Sequence, residues 1–295
     1  MKIIVTHSSP DWDAISSVWV LKRFLPGWEN ASVQFVPAGG RVAPFRGESP
    51  IEKIGNDEVI HVDTGMGPLD HHQTSDKSVC GASRSWEFAV ASNPEFGTSE
   101  KMKERKEAVD RIIKVIIAID HFQEVFWFDA AADHQEFSLL GLLDGLKIQR
   151  PNDDDFYVMF GMECLDALVH QFENRIWAER EIKQGKEFET RFGKGIAFET
   201  LNDTVIKLSQ KMGYVIVVRK DPRKGYVRIK ARPQSNDHDN VDLTLAYEQL
   251  SKMDPQATWF LHVSKKMLLN GTPKNPTMVP TTLSLDQIVN VVKHI

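Results

Sequence analysis

The sequence predicts an α/β protein: a mostly parallel sheet flanked by helices, with a smaller C-terminal α+β domain. Three observations carry this. Short apolar, β-prone runs at 3–5 and 59–62 alternate with amphipathic helical stretches, the rhythm of a parallel sheet covered on both faces. Both runs end in acids and histidines, which two parallel strands would deliver to one sheet edge. Beyond residue 195 the pattern changes to strand pairs joined by turn residues.

In chain order, Ile3 to Val5 form the first strand core, and His7, Asp11 and Asp13 lie just beyond it. A helix over 14–24 follows, with Ile15, Val18, Leu21 and Leu25 on one side. Strands are expected at 32–37 and 59–63. The second passes Asp63 and a Gly/Pro turn to reach Asp70-His71-His72. Helices at 82–91 and 108–119 come next, the latter ending in a further acid–histidine pair, Asp120-His121. A short helix fits 138–146. Asp153, Asp154 and Asp155 read as helix-start residues favoured by the macrodipole, ahead of a long helical pattern over 156–192. The predicted layout is an N-terminal domain over 1–150, a helical connector over 151–194 and a C-terminal α+β domain over 195–295. In the last, strands at 214–219 and 225–231 form a hairpin, a helix covers 245–253, a strand 259–263, and Ser284 caps a closing helix.

At 295 residues the chain is long enough for two cores. Its 41% hydrophobic and 26% charged content is that of a soluble globular protein, and the net charge of −5 argues against a surface built for long polyanions. No apolar run approaches membrane-spanning length, and the chain opens on a strand without a signal peptide, so a cytoplasmic location is expected. Cys80 and Cys164 have no metal-type spacing and are expected to be reduced packing residues.

His7, Asp11, Asp13, Asp63, Asp70, His71, His72 and Asp120 make a hard oxygen/nitrogen donor set. It lacks thiolates, so structural zinc is disfavoured, and manganese is favoured, with magnesium or cobalt as alternatives. So many groups exceed the needs of one ion. Two divalent ions sharing a carboxylate would polarise a phosphoryl group and activate a water.

His7-x3-Asp11-x-Asp13, the lone Asp63 after a strand, Asp70-His71-His72 and the later Asp120 together resemble the four motifs of the DHH phosphoesterase superfamily, over roughly residues 1–125. That group includes RecJ-type exonucleases, oligoribonucleases, cyclic-dinucleotide phosphodiesterases and manganese-dependent pyrophosphatases. The resemblance implies that Asp63 bridges the ions, that His7 and Asp11 bind one, and that Asp13, His71 and Asp120 bind the other. It also implies that His72 faces the phosphate and that Asp70 orients a histidine. Asp70-His71-His72-Gln73 and the segment from Thr258 to Ser264 further resemble the melanocyte proliferating gene family of metal-dependent hydrolases. The Gly-Gly-His signature of the usual associated domain is missing, and Leu269-Asn270-Gly271-Thr272 is a weak substitute for it.

In the C-terminal domain, Arg228, Lys230 and Arg232 share one strand face. The expected substrate contacts are Arg232, His262, Asn270 and Lys274, while Trp259 and Phe260 are expected in the core. The expected activity is hydrolysis of phosphodiester bonds in a short oligonucleotide, without a membrane partner and with a homodimer left open. The alternatives are hydrolysis of a cyclic dinucleotide or phosphoanhydride, and a non-catalytic nucleotide-binding regulator.

Overall fold

A computed structural model describes residues 1–44, 47, 49–233, 241–272, 275 and 277–295. The chain divides into two compact units, Met1–Glu173 and Asn174–Ile295. Both have the mixed α/β character expected, with sheets flanked by helices.

The first unit is built on a four-stranded sheet. Its strands are β1 (Lys2–His7), β2 (Ser32–Val36), β3 (Glu52–Ile54) and β4 (Asp57–His61), in the order β2-β1-β4-β3. β1 runs parallel to both β2 and β4, with Ile4 opposite Val33 on one side and Ile60 on the other, while β3 is an antiparallel edge. Ile3, Val5 and Val59 fill one face and pack against Val36 and Ile54. Between β1 and β2 runs α1 (Trp12–Phe24), with 11 of its 13 residues buried, as for a helix enclosed on nearly all sides. It packs against α2 (Gly81–Ser92) and, after the short α3 (Glu95–Thr98), against α4 (Glu100–Asp120). Trp19, Phe24, Trp86 and Phe96 lock these helices together, mostly edge to face, with ring centroids 5.1–6.2 Å apart. A 3-10 turn (Gln123–Phe126), α5 (Asp133–Glu136) and α6 (Leu139–Gln149) lead to the long α7 (Asp154–Gln184).

The division at 173/174 falls inside α7, and the helical connector expected over 151–194 is corrected at its end. The helix stops at Gln184, and β5 (Lys186–Thr190) and β6 (Gly193–Glu199) pair antiparallel where helix was expected. Gly185 follows directly, and only glycine fits there, because a Cβ would run into Phe198 and Ile196 of the returning strand. The charged stretch 186–194 imitates an amphipathic helix, yet it buries Phe188 as one side of a strand.

The second unit adds α8 (Thr204–Lys211), β7 (Ile216–Lys220), β8 (Val227–Ala231), α9 (Thr244–Met253), β9 (Trp259–Leu261), β10 (Met267–Asn270) and α10 (Leu285–Val292). Its six-stranded sheet has the order β5-β6-β7-β8-β10-β9, and β6–β7 is its parallel pair. One face carries Ala197, Ile216, Val218, Ile229 and Leu268 against α9 and α10. The other carries Ile196, Phe198 and Val217 against α8 and the end of α7. Burying each such aliphatic side chain contributes ~1.5–3 kcal/mol. No helix among the described residues is long and apolar enough to cross a membrane.

Candidate metal centre

Because β1 and β4 are parallel neighbours, their carboxyl ends lie side by side, where a crevice opens in an α/β sheet. His7 is the last residue of β1. β4 continues through Val62, whose N–H donates to the Val5 carbonyl (2.9 Å), and delivers Asp63 beside His7. Asp63 sits in the left-handed region at φ 51°, which aspartate tolerates better than most residues. The turn closes when its N–H donates to the Leu69 carbonyl (3.1 Å).

The loop after β1 positions two more acids. Asp11 is the N-cap of α1: its Oδ1 accepts from the N–H groups of Asp13 and Ala14 (both 3.0 Å). Its other oxygen is left 3.9 Å from His7 Nε2. Asp13, fully interior, accepts from the first two amides of α2, Gly81 N and Ala82 N, both at 2.7 Å. A carboxylate at a helix N-terminus is electrostatically favoured. The approach is so close that a Cβ on Gly81 would lie 2.8 Å from Asp63 Cβ.

The centre joins four segments. His7 Nε2 is 3.3 Å from Asp63 Oδ2. His71 Nε2 is 3.5 Å from each of Asp13 Oδ2, Asp63 Oδ1 and Asp120 Oδ2. Asp120, the last residue of α4, is brought in from 49 residues beyond His71. His72 Nδ1 donates to Asp70 Oδ1 (2.7 Å), and Asp70 is itself fixed by the N–H groups of Met66 (2.6 Å) and His72 (3.1 Å). His72 is half-exposed, and its Nδ1, held by Asp70, also lies 3.8 Å from Asp63 Oδ1.

Asp63 Oδ1, His71 Nε2 and Asp120 Oδ2 are buried and lack a hydrogen-bond partner among the described residues. Each such orphan costs ~1–3 kcal/mol, and a divalent cation among them would satisfy all three. His7, Asp11 and Asp63 bring ligand atoms within 4.8 Å of one another; so do Asp63, His71 and His72, and likewise His71, Asp120 and His121. Asp63 belongs to two of these groups. So does His71, and the donor set fits a divalent metal ion.

The electrostatics agree. Burial disfavours the Asp63 carboxylate, but contacts with His7 and His71 overcome it and hold the carboxyl down at about 2. Burial and the charges of Asp63 and Asp120 push Asp13 well up. Burial, assisted by Asp63 and opposed by His71, raises Asp120. Burial lowers His7, yet its hydrogen bond to Asp63, the Ser8 carbonyl and the nearby carboxylates outweigh that and bring it to about 9. Carboxylates that outnumber the histidines raised beside them leave the site with excess negative charge, which suits a bound cation.

No family model matches the sequence, and no curated protein matches it. Two solved structures are similar over nearly all of the chain. One is a DHH domain described as a member of a family of ribosomal proteins, at 11% identity and a TM-score of 0.33, covering 98% of this chain and 85% of its own. The other is a crystal structure of an uncharacterized protein from Helicobacter pylori G27, at 13% identity and a TM-score of 0.24, covering 99% and 98%. At these TM-scores neither likeness bears on the site.

The structure brings His7, Asp11, Asp13, Asp63, Asp70, His71, His72 and Asp120 together. The residues expected to contact substrate belong to the second unit. Asn270 is corrected: it is fully buried, donates to the Thr258 and Val279 carbonyls (2.9 and 3.0 Å) and accepts from Thr281 N (2.6 Å). Its amide is spent tying β10 to Thr258 and to the loop at 279–281. Arg232 is exposed just after β8, His262 is half-buried and bonded to Ser264 Oγ (2.9 Å), and Lys274 lies outside the described residues. Phe260, expected in the core, is 50% exposed, whereas Trp259 is buried.

Two supports were invisible to sequence reasoning. Arg41 donates to the Gly65 carbonyl (2.9 Å) inside the Asp63 turn, and is itself held by Glu52, which also meets buried His61 (3.0 Å). Asp154 Oδ1 accepts from Ser9 N (2.9 Å) while Lys147 Nζ donates to the Ser9 carbonyl (3.1 Å), pinning the loop between His7 and Asp11. Asp154 therefore does more than start a helix. His121, the C-cap residue of α4, also lies within the cluster, 3.7 Å from Asp120.

Proposed function

We propose that this chain is a metal-dependent phosphohydrolase that cleaves phosphodiester bonds in short oligonucleotides. The observation that carries this reading is the convergence of three unpartnered buried atoms, from Asp63, His71 and Asp120, beside His7, Asp11 and Asp13. The motif order shared with the DHH superfamily supports the phosphoester chemistry. His7, Asp11 and Asp63 would hold one ion, and Asp13, Asp63, His71 and Asp120 the other. When bound, manganese or magnesium ions would supply Lewis-acid polarisation of a phosphoryl oxygen and a water of lowered pKa. The protein's own part is to keep these donors in place and to present His72 Nε2, steadied through Asp70, as the group that hands a proton to the leaving oxygen. Arg232 and His262 are proposed phosphate contacts of the second unit. A cytoplasmic location fits this substrate.

The test is a panel of short RNA and DNA oligomers, cyclic dinucleotides, pyrophosphate and a generic phosphodiester, incubated with manganese beside Asp63→Ala. Stepwise release of mononucleotides, absent in the variant, is expected. Turnover of a small phosphate compound alone would overturn the substrate, and no turnover with metal bound would overturn the enzyme.

Metal uptake has a pH signature. With His7 held at about 9, its imidazole is protonated at neutral pH and must become neutral to ligate. Binding of manganese is therefore expected to release protons and to tighten as pH rises towards 9, read by calorimetry in buffers of different ionisation enthalpy. Affinity that is independent of pH, without proton release, would exclude His7. In the metal-free protein the sign is opposite. The raised pKa contributes stability that is complete below the ordinary value of 6.5 and lost as pH rises through about 9.

Arg41→Met should weaken manganese binding by roughly 10-fold, the scale of other outer-shell losses. Titration of metal against the variant checks this, and unchanged affinity would make Arg41 a fold residue only.

A further inference from the structure

Four of the 16 phenylalanines stand out for exposure: Phe122 at 72%, Phe126 at 79%, Phe128 at 93% and Phe137 at 94%. Among the described residues the next is Phe260 at 50%. All four come from one stretch of the first unit, which also exposes Val125, Trp127, Leu142 and Ile148. Internal contacts tie that stretch together. Gln135 Nε2 donates to the Phe128 carbonyl (3.2 Å), α5 touches α6, and Ser138 Oγ caps α6. At roughly 200 Å² per ring, the five aromatic side chains leave on the order of 750 Å² of apolar surface open. The largest apolar patch of a typical monomer is about 300–600 Å², and a stable interface of standard size covers about 800 Å² per partner.

We propose that this aromatic stretch, 122–148, is the contact through which two copies of the chain form a dimer. The area is what one half of such an interface needs. An apolar surface is complementary to itself, as a two-fold contact requires, because the same residues must meet across the axis. The charge narrows the partner further. Glu124, Asp129, Asp133, Glu136 and Asp144 stand in this stretch, and its lysine, Lys147, is engaged with Ser9. A nucleic acid or an anionic lipid surface would be repelled. Two facing copies would also bring the same five acids towards each other, and that repulsion weakens with salt while ring burial does not. The contact begins two residues after Asp120, so the dimer would place it next to each metal centre.

The test is sedimentation velocity of the full chain at micromolar concentration, in low and high salt, beside the double variant Phe128→Ser with Phe137→Ser. The wild-type chain is expected to sediment as two copies, more tightly in high salt. The variant should dissociate at least ~10-fold more readily, as when central aromatic anchors are lost, with an unchanged circular-dichroism spectrum and melting temperature. Val263→Ser, which removes an exposed apolar residue of the second unit, should leave the dimer intact. A single-copy mass throughout, or a double variant as dimeric as the wild type, would overturn the proposal. A dimer that dissociates as salt rises would overturn it too, since that marks pairing of opposite charges.

Discussion

Asp63→Asn is expected to reduce phosphodiester turnover by at least ~10³-fold while the protein stays folded. Asparagine keeps the side-chain shape and tolerates the left-handed conformation found at φ 51°. What it loses is the negative charge and one ligand oxygen of the residue that, among those described, belongs to both the His7–Asp11 and the His71–His72 groups. His7 and His71 would lose the carboxylate that holds them, and their pKa values should fall towards the ordinary histidine range. The measurements are turnover, metal stoichiometry and histidine titration by NMR on the same sample. Wild-type metal content with unchanged histidine titration would remove Asp63 from the centre. Loss of turnover with a collapsed thermal transition would instead make it a residue of the fold.

The centre was legible in the sequence to the extent that it lies at strand ends. The apolar runs around Ile4 and Ile60 mark β1 and β4, and whatever follows them must emerge at the same sheet edge. Asp120 was legible because α4 has a clear apolar face ending there. The supports were not, because they cross the chain. Arg41 reaches Gly65 over 24 residues and Asp154 reaches Ser9 over 145, and no periodicity encodes such a meeting. The amides of Gly81 and Ala82 are equally silent, since backbone donors carry no sequence signature. β3 was missed because three residues, Glu52 to Ile54, are too few to show alternation. At 186–190 charge content suggested a helix, whereas burial of Phe188 beside β6 decides for a strand. Tertiary packing, not local preference, settles such segments.

Packing also makes Trp19 the largest single contributor to be tested. It is fully buried in α1, donates through Nε1 to Asp166 Oδ1 (2.8 Å) and meets the Phe24 ring edge to face at 5.3 Å. Trp19→Ala removes these contacts and leaves a cavity that the neighbouring helices can close only in part, at a cost of ~3–5 kcal/mol. For a unit of this size that corresponds to a fall in melting temperature on the order of 10 °C. Asp166 is not stranded by the change, since Arg23 reaches both its oxygens at 2.9–3.1 Å. The loss should therefore come from the cavity, and Trp19→Phe, which refills part of it, should recover a good share. Guanidinium unfolding of the three proteins checks this ordering. If Trp19→Phe were as unstable as Trp19→Ala, the lost hydrogen bond to Asp166 would be the main term. If neither were destabilised, α1 could not be the helix around which the first unit packs. Because α1 begins at the Asp11 cap, its loosening should also reach the metal centre. Manganese affinity in Trp19→Ala should then fall together with stability, even though Trp19 itself touches none of the ligands.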